Sequence, residues 1–300
     1  MDQAESLRQL VRSQGRNDVS ASSLSRKGSN TRVIAVTSGK GGVGKSNLSL
    51  NIAISLSKNF NKKVLILDAD FGTANVDILM GVFPKHNISN IIYDQLPVED
   101  VIVDGPYDVK VLPGVSGVAQ LTSLTENQKQ FFFEQLELYQ DKYHPDVILI
   151  DTGAGVGNNV MNFLLAADEV LVVVTSEPTS LSDSYAVIKT LHQYNEDMKV
   201  SVIANMAPSE NEGLRVYSLL QNVCSKFLGK DVEYLGHVNA SKTLVSAVKQ
   251  QKPVLISYPN SSVSFDINKL SKKIINSDTG NNKSFKNFFS VATKYFGWND

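Results

Sequence analysis

The sequence predicts an α/β chain in three layers, with a mostly parallel, twisted sheet covered by helices on both faces. Three observations predict it. Short apolar, β-branched runs recur along the chain, stretches with helical apolar spacing separate most of them, and a glycine-rich loop joins the first run to the first helical stretch. Three hundred residues with 42% apolar composition suffice for one large core, and two full domains are not needed.

Taken in order, residues 1–12 give a short apolar stripe at Ala4, Leu7, Leu10 and Val11, too small to hold a helix alone. Residues 13–31 are serine-rich, carry Gly15, Gly28 and scattered charges, and lack an apolar period, which predicts a flexible linker. Val33 to Thr37 reads as a buried strand, and Asn47 to Lys58 as a helix. Further strands are expected at Val64–Leu67, Val147–Ile150, Val170–Val174 and Val200–Ala204, with weaker versions of the pattern at Val109–Leu112 and Tyr234–Val238. The polar run Asn276 to Asn282 marks a second break, which divides a core of residues 32–275 from a tail of residues 276–300.

Composition narrows the function classes. A net charge of −1 gives no sign of a general nucleic-acid binder. The single cysteine, Cys224, excludes an internal disulfide framework and reads as a small buried hydrophobe. No run approaches the ~18 to 20 apolar residues of a membrane span, and the opening residues are polar and charged, so a cytoplasmic chain is expected.

The stretch S-G-K-G-G-V-G-K-S-N, residues 38–47, lies between the first strand and the first helix. Gly39, Gly44, Lys45 and Ser46 fit G-x-x-x-x-G-K-[ST], whose backbone N–H groups and following helix N-terminus surround nucleotide phosphates. In that role Lys45 reaches the β and γ phosphates and Ser46 ligates Mg²⁺. Gly41, Gly42, Val43 and Asn47 complete the loop. The chain is therefore expected to have the P-loop NTPase fold.

Lys40 adds a second lysine ahead of the expected one. K-G-G-x-G-K-[ST] resembles the deviant Walker A signature of the MinD/ParA ATPases. The resemblance implies ATP hydrolysis with Mg²⁺ and an ATP-dependent homodimer, in which Lys40 crosses the interface to the partner's nucleotide as an arginine finger does. The plain alternative is a solvated loop lysine. Relatives of this class that bridge an iron–sulfur cluster with several cysteines are excluded by Cys224 standing alone.

Downstream, Asp68 and Asp70 end a strand two residues apart, which predicts that both face the crevice at the sheet's C-terminal edge. The resemblance implies that Asp70 orients or takes a proton from the attacking water, while Asp68 helps hold water around Mg²⁺. Asp151 ends another apolar run, before Gly153 to Gly157, and is implied to be the Walker B acid ahead of a γ-phosphate sensing loop. Asn205, at a further strand end, is implied to select adenine, since its amide can donate and accept along one base edge. After the next strand the family often has I-P-x-D, whereas this chain reads Val238-Asn239-Ala240. Bland readings remain for each: turn-capping acids, and an asparagine stabilising its own loop.

The two ends narrow the biology. Asp2, Gln3, Ala4, Leu7 and Arg8 match D-Q-A-x-x-L-R and resemble the opening of the FlhG family of flagellar regulators, also called YlxH or FleN. The resemblance implies that this segment stimulates FlhF, a signal-recognition-type GTPase. A frayed terminal helix is the alternative. Phe285, Phe288, Phe289, Tyr295 and Phe296 share one helical face with lysines opposite, as in an interfacial membrane helix, or in a last helix packed on its own core. Reversible attachment to the inner face of the cell membrane is thus expected, and flagellar switch or transcription components are further partners in the family. DNA is disfavoured, although a ParA-type segregation ATPase and a MinD-type septum-placement ATPase share the core motifs.

Overall fold

A computed structural model describes residues 31–72, 75–115 and 124–277, with Phe288, Val291 and Ala292 beyond them. Eight strands form one sheet: β1 (Arg32–Ser38), β2 (Val64–Ala69), β3 (Val103–Asp104), β4 (Lys110–Leu112), β5 (Val147–Ala154), β6 (Glu169–Val174), β7 (Lys199–Ala207) and β8 (Glu233–Asn239). Their order is β3-β4-β2-β5-β1-β6-β7-β8, and all neighbours are parallel except β3 and β4.

Alternate residues of β1 enter opposite cores, as the period of two requires. Ile34 and Val36 pack under α1 (Lys45–Phe60), α2 (Val76–Met80), and three helices introduced late in the chain, α9 (Lys242–Lys249), α10 (Val254–Ser257) and α11 (Ser262–Asn276). Val33 and Ala35 face α3 (Ile88–Asp94), α4 (Val98–Val101), α5 (Glu126–Tyr143), α6 (Asn158–Ala166), α7 (Pro178–Tyr194) and α8 (Glu210–Leu228). Both sheet faces are covered, which explains why the central strands read as continuous apolar runs rather than alternating ones.

All the strands expected from the sequence are present, and several run longer. β5 continues four residues past Ile150 because Asp151 and Thr152 stay in register with Val36 of β1 and with Asp68 and Ala69 of β2. β3 was not legible: two half-exposed or exposed residues pairing antiparallel with β4 carry no period.

At the N-terminal edge of the sheet, Arg32 is buried and donates to the buried Glu169 carboxylate and to the Ile274 carbonyl, with Ser277 Oγ 3.1 Å away. Ser201 Oγ donates to the same carboxylate at 2.8 Å. A buried carboxylate needs such partners, because removing one leaves an uncompensated charge. The network ties β1, β6 and β7 to the end of α11.

Phe288 and Ala292 are buried against the same core face as α3 to α8. In a single copy, therefore, Phe288 is packed inside the protein rather than presented to a membrane. Phe285, Phe289, Tyr295 and Phe296 lie outside the described residues, as do Asp2, Gln3, Ala4, Leu7 and Arg8. Among the described residues no helix is long and apolar enough to cross a membrane.

Candidate functional site

The loop from Ser38 to Gly44 is anchored at both ends. A Cβ on Gly39 would lie 2.1 Å from the Asp183 carbonyl carbon and 2.3 Å from the Ser184 nitrogen, so only glycine lets the loop start against α7. At the other end Gly44 has φ +90°, and a Cβ there would lie 2.6 Å from Asn205 Nδ2. That same Nδ2 donates to the Val43 carbonyl at 2.7 Å. Gly44 caps α1 without a side chain, so the first-turn N–H groups of a helix with no acid in that turn point outward unshielded. Such an end attracts anions through its orphan donors and the helix dipole.

In front of this end lies a cleft of about 720 Å³, within the ~300–1,000 Å³ range of small-molecule sites. Gly41, Gly42, Gly44, Lys45, Ser46 and Asn47 line its phosphate end, together with Asp70 and Asn205. Three residues assigned to the nucleotide from the sequence do not line it. Gly39 packs on α7, Val43 is buried in the core, and Lys40 points away to Glu177, 2.7 Å from its carboxylate. The opposite wall was missed: Leu244, Val245 and Val248 of α9, with Ile78, Leu79 and Met206. The only sequence signal for it was the apolar stripe of a short helix, which ordinarily means core.

The acids divide their roles. Asp68 Oδ1 accepts from the Asp70 N–H, and Oδ2 accepts from the N–H groups of Asn75 and Val76 at 3.1 and 3.2 Å. Asp68 is buried and does not line the cleft, contrary to the expectation that both acids face it. The strand ends at Ala69, and the unsatisfied amides at the start of α2 capture the first carboxylate. Asp70, half-buried, does line the cleft, and its Oδ1 accepts from the Gly72 N–H at 3.2 Å. Asp151 is fully buried. Ser49 Oγ donates to its Oδ1 at 2.9 Å, whereas Oδ2 has no hydrogen-bond partner.

Burial, then the charge of Asp151, pushes the Asp68 carboxyl well above the usual carboxylate range. Burial also raises Asp151, an effect eased by the Ser46 and Ser49 hydroxyls and the Lys45 ammonium and reinforced by the charge of Asp70. Two buried acids that disfavour one another's charge are relieved by a cation nearby. The orphaned Asp151 Oδ2 and the Ser46 hydroxyl beside the cleft fit Mg²⁺ held mainly through phosphates and water, the usual way this ion is bound. Among the described residues no group of three His, Cys, Asp or Glu side chains could hold a metal unaided. The bare helix end, Lys45 at 7% exposure and the glycine cradle fit a triphosphate. Asn205 Oδ1, buried and unpartnered, is an acceptor waiting for a donor. When bound, Mg²⁺ neutralises phosphate charge that Lys45 and the loop amides otherwise face alone.

A doubly covered parallel sheet whose first strand enters a G-x-x-x-x-G-K-S loop, with an acid at the adjacent strand end, defines a P-loop nucleoside triphosphatase. The AAA domain family model matches residues 31–203. The chain is 37% identical to the antiactivator FleN of Pseudomonas aeruginosa, over 81% of this chain and 86% of FleN. It is 35% identical to the flagellum site-determining protein YlxH of Helicobacter pylori, over 89% and 92% of the two chains. Among solved structures, MinD of Pyrococcus horikoshii complexed with Mg-ADP superposes with a TM-score of 0.65 at 23% identity, over 81% of this chain and 96% of that one. The chain belongs to the MinD/ParA family of P-loop ATPases. It is accordingly an ATPase.

Proposed function

We propose that this ATPase is a dimerising switch that regulates the number or placement of flagella. The observation that carries the switch is the position of Lys40: it lies outside the cleft that Lys45 lines, on an exposed surface, so its own nucleotide has no use for it. Ile78, Met206, Val245 and Val248 rim the cleft and are each at least 40% exposed, an apolar margin suited to a second copy. The flagellar part rests on the similarity to FleN and YlxH.

In this reading two copies meet cleft to cleft. Lys40 of each adds positive charge to the other's phosphates, Lys45 and Ser46 hold the phosphates and the Mg²⁺, and Asp151 supports that ion through water. Asp68 fixes the start of α2, so that Asp70 beside it reaches the attacking water. Lys40→Ala should bind ATP yet remain monomeric at saturating Mg-ATP, with hydrolysis lowered by about 10³-fold or more, the range of a lost cationic finger. Sizing with ADP and with ATP, beside a hydrolysis-blocked Asp70→Ala variant, tests the whole scheme; a chain that stays single in ATP under both conditions defeats it.

Asn205 provides base selection. Its Nδ2 is committed to Val43, which leaves Oδ1, a buried acceptor with no partner, as the atom that would read the base. The adenine amino group donates there, whereas the guanine carbonyl repels it. Asn205→Ala should shrink the preference for ATP over GTP about tenfold, the equivalent of roughly 1.4 kcal/mol for one lost hydrogen bond. Competition binding with the two nucleotides measures it, and an unchanged ratio removes Asn205 from the base site.

The opening segment, through Asp2, Gln3, Ala4, Leu7 and Arg8, would stimulate FlhF, and the aromatic tail would attach the dimer to the membrane. Since Phe288 is buried in one copy, attachment requires the tail to leave its docking face. A peptide of residues 1–12 that fails to accelerate FlhF would remove that partner.

A further inference from the structure

A second cavity, of about 760 Å³, lies at the rim of the sheet opposite the nucleotide cleft, between the end of α1, the residues entering β2 and β5, the turn before β4 and the last turns of α5. Lys58, Lys62, Lys63 and Lys110 line it against two carboxylates, Asp108 and Asp146. Lys110 is committed to Asp104 at 2.5 Å, and Lys62 lies 3.4 Å from Asp146. Among the described residues Lys58 and Lys63 have no ion pair: Lys58 Nζ sits 4.7 Å from the centre of the Tyr107 ring, and Lys63 Nζ donates to the Tyr143 carbonyl at 3.3 Å. Both tyrosines line the same cavity. We propose that this cavity is a second ligand site, distinct from the phosphate loop, which takes a nucleoside phosphate: the phosphate on Lys58 and Lys63, the base on the tyrosine rings.

Lysines at the end of a helix offset its dipole, and that accounts for Lys58 and Lys62. It does not account for an aromatic-walled cavity of ligand size. Tyr107 and Tyr143 are 46% and 38% exposed, and the buried Tyr139 backs Tyr143 with ring centres 4.6 Å apart. Open aromatic rings stack on any base, and an ammonium group meets a phosphate as a point charge. The walls are also held in place. Ser57 Oγ donates to the Tyr107 carbonyl, and Tyr107 and Asp108 both have left-handed backbones, with φ +54° and +65°. Such conformations persist only where the surroundings impose them, and they gather at ligand clamps. On the other side the Pro145 carbonyl accepts from Thr31 Oγ1 at 2.7 Å, and Asp146 Oδ2 accepts from the Lys63 N–H at 2.8 Å. A cavity already in shape loses little affinity to ordering.

The test is equilibrium binding of guanosine monophosphate to the full chain in excess Mg-ADP, which fills the phosphate loop without turnover. Inorganic phosphate and guanosine are the comparison probes. The nucleotide should bind saturably with a dissociation constant below about 1 mM, about tenfold or more tighter than either comparison probe. Changing Lys58→Gln and Lys63→Gln together should weaken it about tenfold or more. Tyr107→Leu and Tyr143→Leu, made singly, keep apolar bulk but remove the ring plane, and at least one should weaken it about fivefold or more. Matching thermal melts establish that the variants are folded. No saturable binding up to about 5 mM overturns the proposal and leaves the lysines as counter-charges of a helix end. Unchanged affinity in the lysine variant overturns it by placing the nucleotide elsewhere. Phosphate that binds as tightly as the nucleotide, or two tyrosine variants that bind like the parent, overturns the nucleoside phosphate as the ligand class.

Discussion

Asp70→Ala should lower kcat by about 10²- to 10⁴-fold, the usual contribution of a positioned acid or base, while leaving ATP-dependent dimerisation intact. Asp70 is the acid of the pair that lines the cleft, and its hydrogen bond to the Gly72 N–H aims one oxygen along the loop. A Cβ on Gly153 would lie 3.5 Å from that oxygen, which puts the carboxylate over the end of β5, beside the residues that follow Asp151. In the proposed scheme Lys45, Ser46 and the loop amides hold the phosphates, so nucleotide affinity should change little. Single-turnover hydrolysis measured beside equilibrium ATP binding separates the two quantities. A variant that hydrolyses at the parent rate would transfer the role to another group, and one that loses ATP binding would make Asp70 a binding residue.

Gly39→Ala should be the most damaging single-methyl change in the loop. The added carbon meets the Asp183–Ser184 peptide bond, 2.1 Å from its carbon and 2.3 Å from its nitrogen, and neither atom can swing away without shifting α7. Overpacking of this kind costs about 2–3 kcal/mol or more, which in a domain of this size lowers the melting temperature by roughly 5–10 °C. Gly157→Ala is the control, because nothing lies within 4 Å of its added carbon. Its melt should stay within about 0.5 kcal/mol of the parent. If both variants melt alike, the close approach between loop and helix does not exist in solution.

The sheet and phosphate loop were legible in the sequence because their chemistry is local. β-branched runs bury on both faces, and G-x-x-x-x-G-K-S fixes a strand, a turn and a helix within a few residues. The helix Lys45–Phe60 starts two residues before its apolar period, since the glycine at 44, not the pattern, sets its beginning. Asp68 and Asp70 were both expected to face the crevice because strand periodicity cannot see where the strand stops; the amides of Asn75 and Val76 hold Asp68 away from it. Asn205 was found, yet its commitment to the Val43 carbonyl was not, because that bond joins residues 162 apart. The α9 wall of the cleft escaped for the same reason: Leu244, Val245 and Val248 look like ordinary amphipathic helix until the fold carries them opposite the loop. Asn239, where the sequence departs from the family's usual proline-containing turn, is held by Asp266 through both its N–H and its side-chain amide.

The Arg32 clamp has a consequence for geography. It fastens the residue where the front appendage joins the body to the carbonyl and hydroxyl from which the rear appendage departs. Thr31 and Ser277, at the two ends of the described core, therefore lie on the same rim of the sheet. That rim is the far one from the triphosphate: β1 spans seven residues between them, roughly 23 Å at strand rise. A change at the phosphate loop is thus separated from the Arg32 network by the full depth of the sheet.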